Sequence, residues 1–369
     1  AEDVSKGDYP HYMLKEIYEQ PRAIEKTLQG RIKDGEIVLR EMDLSPELIR
    51  RVKSFHVVAC GTAYHAALFG KYLLERILRV PVSADIASEF RYRDPILDNR
   101  SLVVLISQSG ETADTIASME EARARGARTL AVVNVRGSTL AREADAVLYT
   151  RAGPEIAVAS TKAFTAQLTA LMLLACYVAD QRKVDWPYPR EEMLNHLLAL
   201  PASLEETLTA TAATAREWGK LIAAQRDCYF LGRNVDEPLA REAALKLKEI
   251  SYVHAEAYAA GELKHGTIAL ITEGTPVVSF MTQEGVWDKM ISNIHEVRAR
   301  GAQTFAVVRE NGFGLEGLVE GVITLPAVPE LFAPVLAAVP AQLIAYEAAA
   351  ALGRDVDQPR NLAKSVTVE

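Results

Sequence analysis

Cysteine is scarce in this chain, and the few cysteines do not show the spacing of a metal site or of a disulfide framework. The chain has 369 residues and three cysteines, Cys60, Cys176 and Cys228, with no Cys-x-x-Cys pair. Each lies in an apolar run, which favours reduced, buried thiols. The GxxxxGK[ST] phosphate loop and the GxSxG nucleophile motif are also missing. We therefore expect no metal and no cofactor.

The chain also has no excess of positively charged residues. The 41 Lys and Arg residues are outnumbered by 49 Asp and Glu residues, for a formal net charge of −8. This balance disfavours nucleic acid and anionic membranes as partners. The apolar stretch from Leu168 to Ala179 is about half of the roughly 20 residues that a membrane span needs. The first residues, AEDVSKGDYPHYM, lack the pattern of a signal peptide, so we expect a cytoplasmic protein.

A repeat is the most prominent feature that is present. Residues 123–133 read RARGARTLAVV and residues 298–308 read RARGAQTFAVV, so two of the eleven positions differ. Each copy follows an apolar run, at 102–106 and 276–280. Short apolar runs that alternate with helical segments indicate a parallel sheet covered on both faces. We therefore expect an α/β fold in which one unit occurs twice.

The pattern divides the chain into three parts, which are residues 1–183, residues 184–352 and a polar tail at 353–369. A linker rich in proline and charge is predicted at 183–192. Strands are predicted at 55–60, 81–86, 101–106, 129–135 and 145–150 in the first part, and at 228–232, 275–280, 303–308 and 321–325 in the second. The tail lacks helical periodicity, and we expect it to be frayed unless it docks on the protein.

The loop after the run at 102–106 is the strongest ligand-binding candidate. It reads Ser107-Gln108-Ser109-Gly110-Glu111-Thr112 and joins the carboxyl end of a strand to a helix. Ligands of such sheets bind at strand ends, and the free N–H groups of a helix N-terminus favour anions. A helix cap needs one hydroxyl, whereas this loop offers three and an amide. It therefore predicts a phosphate site. The second unit has Glu284 in the corresponding region, where a carboxylate would repel phosphate.

Two other turns are less specific. Thr62, after the first strand, is equally consistent with a cap and with a ligand hydroxyl. For Ser160 and Thr161, capping of the following helix is the favoured interpretation.

The second unit carries the candidates for chemistry. Lys246 and Glu249 are three residues apart, so they share one helix face. Such a pair alone is most often solvated, but its apolar surroundings favour a functional role here. His265 stands between Lys264 and Gly266, and a lone histidine is more often structural than catalytic. His254 is expected to be structural or supporting.

Five segments carry a family resemblance that covers essentially the whole chain. They are CGTAYHA at 60–66, SQSGETADT at 107–115, EIAVASTKAFT at 155–165, LKLKEISYVHAEAYAAGELKHG at 245–266 and DQPRNLAKSVTVE at 357–369. They resemble the isomerase half of the glucosamine-6-phosphate synthase family. The resemblance implies two tandem sugar-isomerase (SIS) domains, each a five-stranded parallel sheet flanked by helices in a flavodoxin-like three-layer arrangement. It also implies a homodimer, and a glutaminase domain in full-length members that we expect to be absent from this chain.

The resemblance also implies roles for individual residues. The phosphate is held by Ser107, Gln108, Ser109 and Thr112 with help from Thr62, and the sugar is lined by Val158, Ser160 and Ala363. Glu249 resembles the base that moves a proton between C1 and C2, with Lys246 as a supporting cation. His265 resembles the ring-opening histidine, contributed by the neighbouring subunit. Lys364 resembles the lysine that forms a Schiff base with the open ketose.

The implied function is conversion of fructose 6-phosphate into an aldose 6-phosphate for amino-sugar synthesis. The product is glucosamine 6-phosphate with an ammonia donor and glucose 6-phosphate without one. One departure is Ala63, where the family commonly has serine, so a sugar contact is expected to be lost. The alternative is a non-catalytic sugar-phosphate sensor, which would use the phosphate loop but would not need Glu249, His265 and Lys364 together.

Overall fold

The structure is a computed structural model that describes residues 4–309 and 312–368. The predicted outer boundaries at residues 1 and 369 lie outside the described residues. The strands of the first unit are β1 Ile32–Lys33, β2 Glu36–Ile37, β3 Ser54–Ala59, β4 Val82–Ile86, β5 Ser101–Ser107, β6 Arg128–Val133 and β7 Ala146–Tyr149. Its helices are α1 Tyr12–Tyr18, α2 Gln20–Leu28, α3 Pro46–Arg51, α4 Gly61–Leu78, α5 Ala87–Phe90, α6 Ala113–Ala124, α7 Thr139–Glu143 and α8 Lys162–Arg182.

The second unit begins with one long helix. Its helices are α9 Arg190–Ala223, α10 Asp236–Ser251, α11 Trp287–Arg298 and α12 Ala333–Ala351. Its strands are β8 Asp227–Gly232, β9 His254–Ala259, β10 Pro276–Met281, β11 Gln303–Val308 and β12 Gly321–Thr324. Short 3-10 helices span Ala260–His265, Thr267–Leu270 and Glu284–Val286.

The two large sheets have the same strand order. The first runs β4-β3-β5-β6-β7 and the second runs β9-β8-β10-β11-β12, and all their strand pairs are parallel. Each RARGA segment forms the turn from a helix into the fourth strand of its sheet. Gly126 and Gly301 have φ values of +83° and +89° there, which glycine adopts without the strain of a side chain. The predicted α/β class with five-stranded parallel sheets is confirmed.

Strand β9 and the burial of Cys60 were not predicted correctly, and the conditional expectation for the tail is resolved in favour of docking. Strand β9 was not predicted, because its sequence HAEAYA lacks an apolar run. It lies at the edge of its sheet, where only Ala255 is fully buried. The tail at 353–368 has no helix or strand, but it is docked by several hydrogen bonds described below. Cys60 is half-buried rather than buried, whereas Cys176 and Cys228 are free and buried as expected.

Two apolar helices form the centre of the molecule. Helices α8 and α12 are long and apolar enough to cross a membrane by length and composition alone, yet 89% of each apolar window is buried inside the protein. Core helices of soluble proteins show the same properties. Helix α12 packs against α9 and α10, and α10 also packs against α4 of the first unit. The contact between α4 and α10 places side chains of the two units next to each other.

Candidate functional site

The hydroxyls of the predicted phosphate loop shape the loop itself. Ser107 Oγ lies 3.1 Å from Thr112 Oγ1 and accepts a hydrogen bond from Gly110 N at 3.0 Å. Ser109 Oγ accepts from Glu111 N at 3.1 Å. Thr112 occupies the N-cap position of α6 but makes no side-chain cap bond. The hydroxyls therefore order the loop and do not cap α6 through Thr112, and the phosphate site stays a prediction.

The loop keeps its one acidic side chain bound to a neighbouring helix. The Glu111 carboxylate accepts hydrogen bonds from the backbone N and Oγ1 of Thr139 at 2.8 and 2.7 Å. These bonds hold the pKa of Glu111 below its ordinary value. Gln108 lines a neighbouring cavity of about 500 Å³ together with Asn134. The arrangement leaves neutral donors available to an anion.

Gly110 permits no side chain. Its φ is +69°, and a Cβ there would lie 2.1 Å from Ser138 Oγ. We expect Gly110→Ala to lower the affinity for a sugar phosphate by at least about tenfold, because the loop must shift away from Ser138 and strain its backbone. Titration calorimetry with fructose 6-phosphate measures this loss. Gly126→Ala is the matched control, since Gly126 also has a positive φ but has open space around it. Equal affinity losses in both variants would contradict the prediction.

A second group of polar side chains bridges the two units between α4 and α10. Glu242 Oε1 accepts a hydrogen bond from Thr62 Oγ1 at 3.0 Å, and Glu242 Oε2 accepts one from His65 Nδ1 at 2.6 Å. Lys246 Nζ donates to Thr62 Oγ1 at 3.0 Å and to Glu249, and it lies 3.4 Å from Glu242 Oε1. The side chains of Glu242 and Lys246 are each 1% exposed. The solvated-pair interpretation of Lys246 and Glu249 is therefore wrong.

The charges of this group shift each other's protonation. Burial raises the pKa of Glu249, and the neighbouring Lys246 partly opposes that rise. For Lys246, burial favours the neutral amine, but Glu242 and Glu249 outweigh it and raise the pKa to about 12. A carboxylate with a raised pKa beside a fixed cation suits general-base chemistry near neutral pH. Glu242 and His65 were not predicted, because their role depends on a contact between two units far apart in sequence.

Thr62 places its hydroxyl in the cluster that bridges the two units. Its hydroxyl donates to Glu242 and accepts from Lys246, so both functions of the group are used inside the bridging cluster. In this structure its hydroxyl makes no hydrogen bond to the described atoms of the Ser107–Thr112 loop. A phosphate contact from Thr62 stays a prediction.

Lys364 of the tail is paired with a buried carboxylate, Glu155. The Lys364 ammonium forms an ion pair with Glu155, whose side chain is fully buried. Glu155 also accepts hydrogen bonds from Ser160 Oγ at 2.8 Å, Thr161 N at 3.0 Å and Ala163 N at 2.9 Å. Burial alone would raise the pKa of Glu155, but Lys364 and the backbone N–H donors outweigh it and hold the pKa below its ordinary value. The N-terminus of α8 is thus capped by Glu155, so the predicted cap from Ser160 or Thr161 was wrong.

The tail crosses from one unit to the other. Asp357 O accepts from Val158 N at 3.0 Å, and Arg360 N donates to Tyr252 Oη at 2.8 Å. Near the end of the tail, Val366 O accepts from Ala113 N at 3.1 Å, beside the phosphate loop. Burial raises the pKa of Glu249, and the positive charge of Lys364 opposes that rise, so the tail and the bridging cluster interact electrostatically. The tail is therefore docked, which is the exception to fraying that its sequence left open.

The positions of the remaining predicted residues neither support nor contradict their predicted roles. Val158 and Ser160 are half-buried at the loop before α8, and Ala363 is exposed next to Lys364. His265 is the exposed last residue of a 3-10 helix, and its imidazole makes no hydrogen bond with Glu249, Lys246 or Lys364 among the described residues. His254 is exposed and pairs with Asp227 at 2.8 Å. Across residues 4–309 and 312–368, no three His, Cys, Asp or Glu side chains are grouped so that they could hold a metal ion.

Comparison with known proteins gives consistent matches. Residues 48–177 and 221–352 match the SIS domain family. A glutamine–fructose-6-phosphate aminotransferase [isomerizing] of Clostridium acetobutylicum is 50% identical over 100% of this chain and 61% of the relative. Its counterpart in Symbiobacterium thermophilum is 53% identical over 99% of this chain and 60% of the relative. The chain therefore spans about three-fifths of the length of these relatives.

A solved structure matches over its full length. The C-terminal domain of glucosamine-fructose-6-phosphate aminotransferase from Francisella tularensis superposes with a TM-score of 0.91 and 40% sequence identity. The match covers 96% of this chain and 100% of that domain.

Proposed function

The chain belongs to the SIS domain family, and from this premise we propose that it is the sugar-phosphate isomerase portion of a glutamine–fructose-6-phosphate aminotransferase. Its substrate would be fructose 6-phosphate, and its product would be glucose 6-phosphate, or glucosamine 6-phosphate when an ammonia donor is supplied. The observation that carries the proposal is the buried Glu249–Lys246 pair beside the docked Lys364. A binding module alone would not need this arrangement.

Glu249 would be the base that transfers a proton between C1 and C2. Proton transfer of this kind needs a carboxylate whose pKa approaches the working pH, and burial raises the pKa of Glu249 in that direction. Lys246 would stabilise the negative charge that develops on the substrate oxygen, because its ammonium is held charged between Glu242 and Glu249. The Ser107–Thr112 loop would hold the phosphate and so fix the position of the sugar chain.

Lys364 would form an imine with the open ketose. Its nitrogen attacks the ketone carbon, a C–N bond forms, and the carbonyl oxygen leaves as water. Water or ammonia would then attack the imine carbon and release the lysine as the free amine, so that Glu249 acts on the open ketose or on its imine with ammonia. The lysine must first lose a proton. That proton would go to solvent, because the Lys364 side chain is 23% exposed and Glu155 is held ionised. The hydrogen bonds that the carbonyl oxygens of Asp357 and Val366 accept would keep the lysine over the site.

The active unit would be a cytoplasmic homodimer in which His265 acts in the partner's site. Exposure of His265 supports this, since a histidine used by the partner must lie on the surface of its own chain. We expect mixtures of the variants His265→Ala and Glu249→Gln to regain about a quarter of wild-type turnover, because half of randomly formed dimers carry one intact site. Turnover is measured after co-refolding, with each variant refolded alone as the control. No recovery in a mixture shown to contain mixed dimers would refute the shared site.

The proposal is tested by incubating the chain with fructose 6-phosphate and following glucose 6-phosphate by a coupled dehydrogenase assay. Glucose 6-phosphate formation is expected, and calorimetry on the same preparation measures binding. Binding without turnover would favour the sugar-phosphate sensor instead, because the phosphate loop suffices for that function. The absence of both binding and turnover would overturn the isomerase and the sensor alike.

A further inference from the structure

Glu16 is a buried carboxyl that the proposed mechanism does not use. It lies on α1 and is 2% exposed. Its Oε1 accepts hydrogen bonds from Ile156 N at 2.6 Å and Ala157 N at 3.3 Å. Its Oε2 is buried and has no hydrogen-bond partner among the described residues. An ionised carboxylate with a bare buried oxygen is costly, whereas the protonated acid carries no charge to bury.

Glu155 stands one residue before Ile156 and has the opposite environment. Its two oxygens receive hydrogen bonds from Ser160, Thr161 and Ala163 in addition to the Lys364 ion pair. Two neighbouring buried carboxyls do not ionise together easily. Burial and the charge of Glu155 raise the pKa of Glu16 to about 8. One cation, Lys364, is thus matched by one anion, Glu155.

Three of the other charges near Glu16 pair with one another. The charged groups that face it or line the same cavity of about 440 Å³ are Lys15 and Glu19 near α1, Arg22 and Lys26 of α2, Lys162 of α8, Glu155, and Lys364 of the tail. Glu19 lies 3.4 Å from Lys15 and 2.7 Å from Lys162. Glu155 and Lys364 are the charged groups that act electrostatically on Glu16.

We propose that Glu16 is a positioning residue for Lys364. Its neutral side chain acts as a strut, in the sense that it holds the backbone at 156–157 through the hydrogen bonds that it accepts. It leaves Glu155 as the single negative charge beside the lysine. This inference rests on the proposed function, since it treats Lys364 as the amine that forms the imine. Ionisation of Glu16 would add a second negative charge, stabilise the ammonium form of Lys364 and slow imine formation. Helix α1 is itself tied to the tail, because Asp357 accepts hydrogen bonds from Tyr12 N and Met13 N at 2.9 Å each.

The first test compares Glu16→Gln and Glu16→Ala in the rate of borohydride-trapped adduct formation with fructose 6-phosphate. Gln keeps a neutral acceptor for Ile156 N but cannot ionise. As Glu16 ionises in the wild type between pH 6.5 and 9.5, the ratio of the Gln rate to the wild-type rate should rise by about tenfold, as expected for removing one nearby charge. Ala removes both the charge and the acceptor, so it should trap more slowly than Gln at every pH. A Gln-to-wild-type ratio that does not change with pH, or equal rates for the Ala and Gln variants, would overturn the inference.

The second test does not depend on activity. A carboxyl whose pKa is raised on folding binds its proton more tightly in the folded state, so its presence lowers stability as pH rises from about 4.3 to about 8. Gln removes that loss, and the Tm of Glu16→Gln relative to wild type should climb across this window and level off above it. Glu25→Gln, an exposed carboxyl on α2, is the control and should show no such climb.

The two tests separate the possible failures. A flat Tm difference for Glu16→Gln would show that Glu16 is not a neutral strut. A wild-type chain that forms no adduct at any pH, with the Tm climb intact, would instead overturn the role of Lys364 and leave the protonation of Glu16 standing.

Discussion

Replacing Glu249 by Gln is expected to lower the isomerisation kcat by about 10³-fold while changing KM by less than about threefold. Glutamine has the size of the carboxylate and keeps an oxygen that accepts from Lys246, but it cannot take a proton from carbon. Steady-state kinetics with fructose 6-phosphate measure both parameters. In the wild type, kcat should fall on the acid side with an apparent pKa above the ordinary glutamate value of about 4.3, because burial raises the pKa of Glu249.

The matched control is Glu237→Gln on the same helix. Glu237 pairs with Arg241 and makes no contact with Lys246 or Glu249 among the described residues. This variant should retain wild-type kcat and KM. A Glu249→Gln enzyme that keeps more than about a tenth of the wild-type kcat would show that another group is the base.

Replacing Lys364 by either Ala or Arg is expected to abolish the adduct that borohydride traps with fructose 6-phosphate. Neither side chain offers a neutral primary amine, so no imine forms. Mass spectrometry of the reduced protein detects the adduct, and the wild type should gain one sugar phosphate per chain at Lys364. An adduct that survives in either variant would place the imine on a different lysine.

The two variants differ in what happens to Glu155. Arginine keeps a cation beside this buried carboxylate, whereas alanine leaves it unpaired. Removing one partner of a buried ion pair costs about 3–5 kcal/mol, and the partial exposure of Lys364 places the loss at or below the lower end. The pKa of Glu155 is depressed in the folded chain, so this stabilisation is present above about pH 4.3 and is lost as pH falls through the depressed pKa. Thermal melts of Lys364→Ala should therefore differ from wild type at neutral pH and converge with it in acid, whereas Lys364→Arg should stay close to wild type throughout.

Sequence patterns revealed the elements whose residues interact locally. The central strands β5 and β6 are apolar runs, and the hydroxyl-rich loop after β5 is recognisable without any knowledge of its neighbours. Strand β9 was missed because an edge strand buries too little to need an apolar run. Glu155 was missed because its decisive partner, Lys364, is 209 residues away. The spacing of Lys246 and Glu249 identified the pair, because both lie on one helix. Its burial was not predictable, because it depends on the contact with α4, which is distant in sequence.

The hydrogen bonds from α1 to Asp357 bear on how the chain is made. Helix α1 has seven residues, too few to be stable in isolation. The carboxylate that caps it follows 345 residues after Tyr12, near the end of the chain. A ribosome releases the helix long before it synthesises its cap, so α1 becomes complete only after the residues up to Asp357 have been made. A chain that stops before Asp357 would leave two N–H groups of α1 open, and a protease that samples the N-terminal region could distinguish full-length from truncated product.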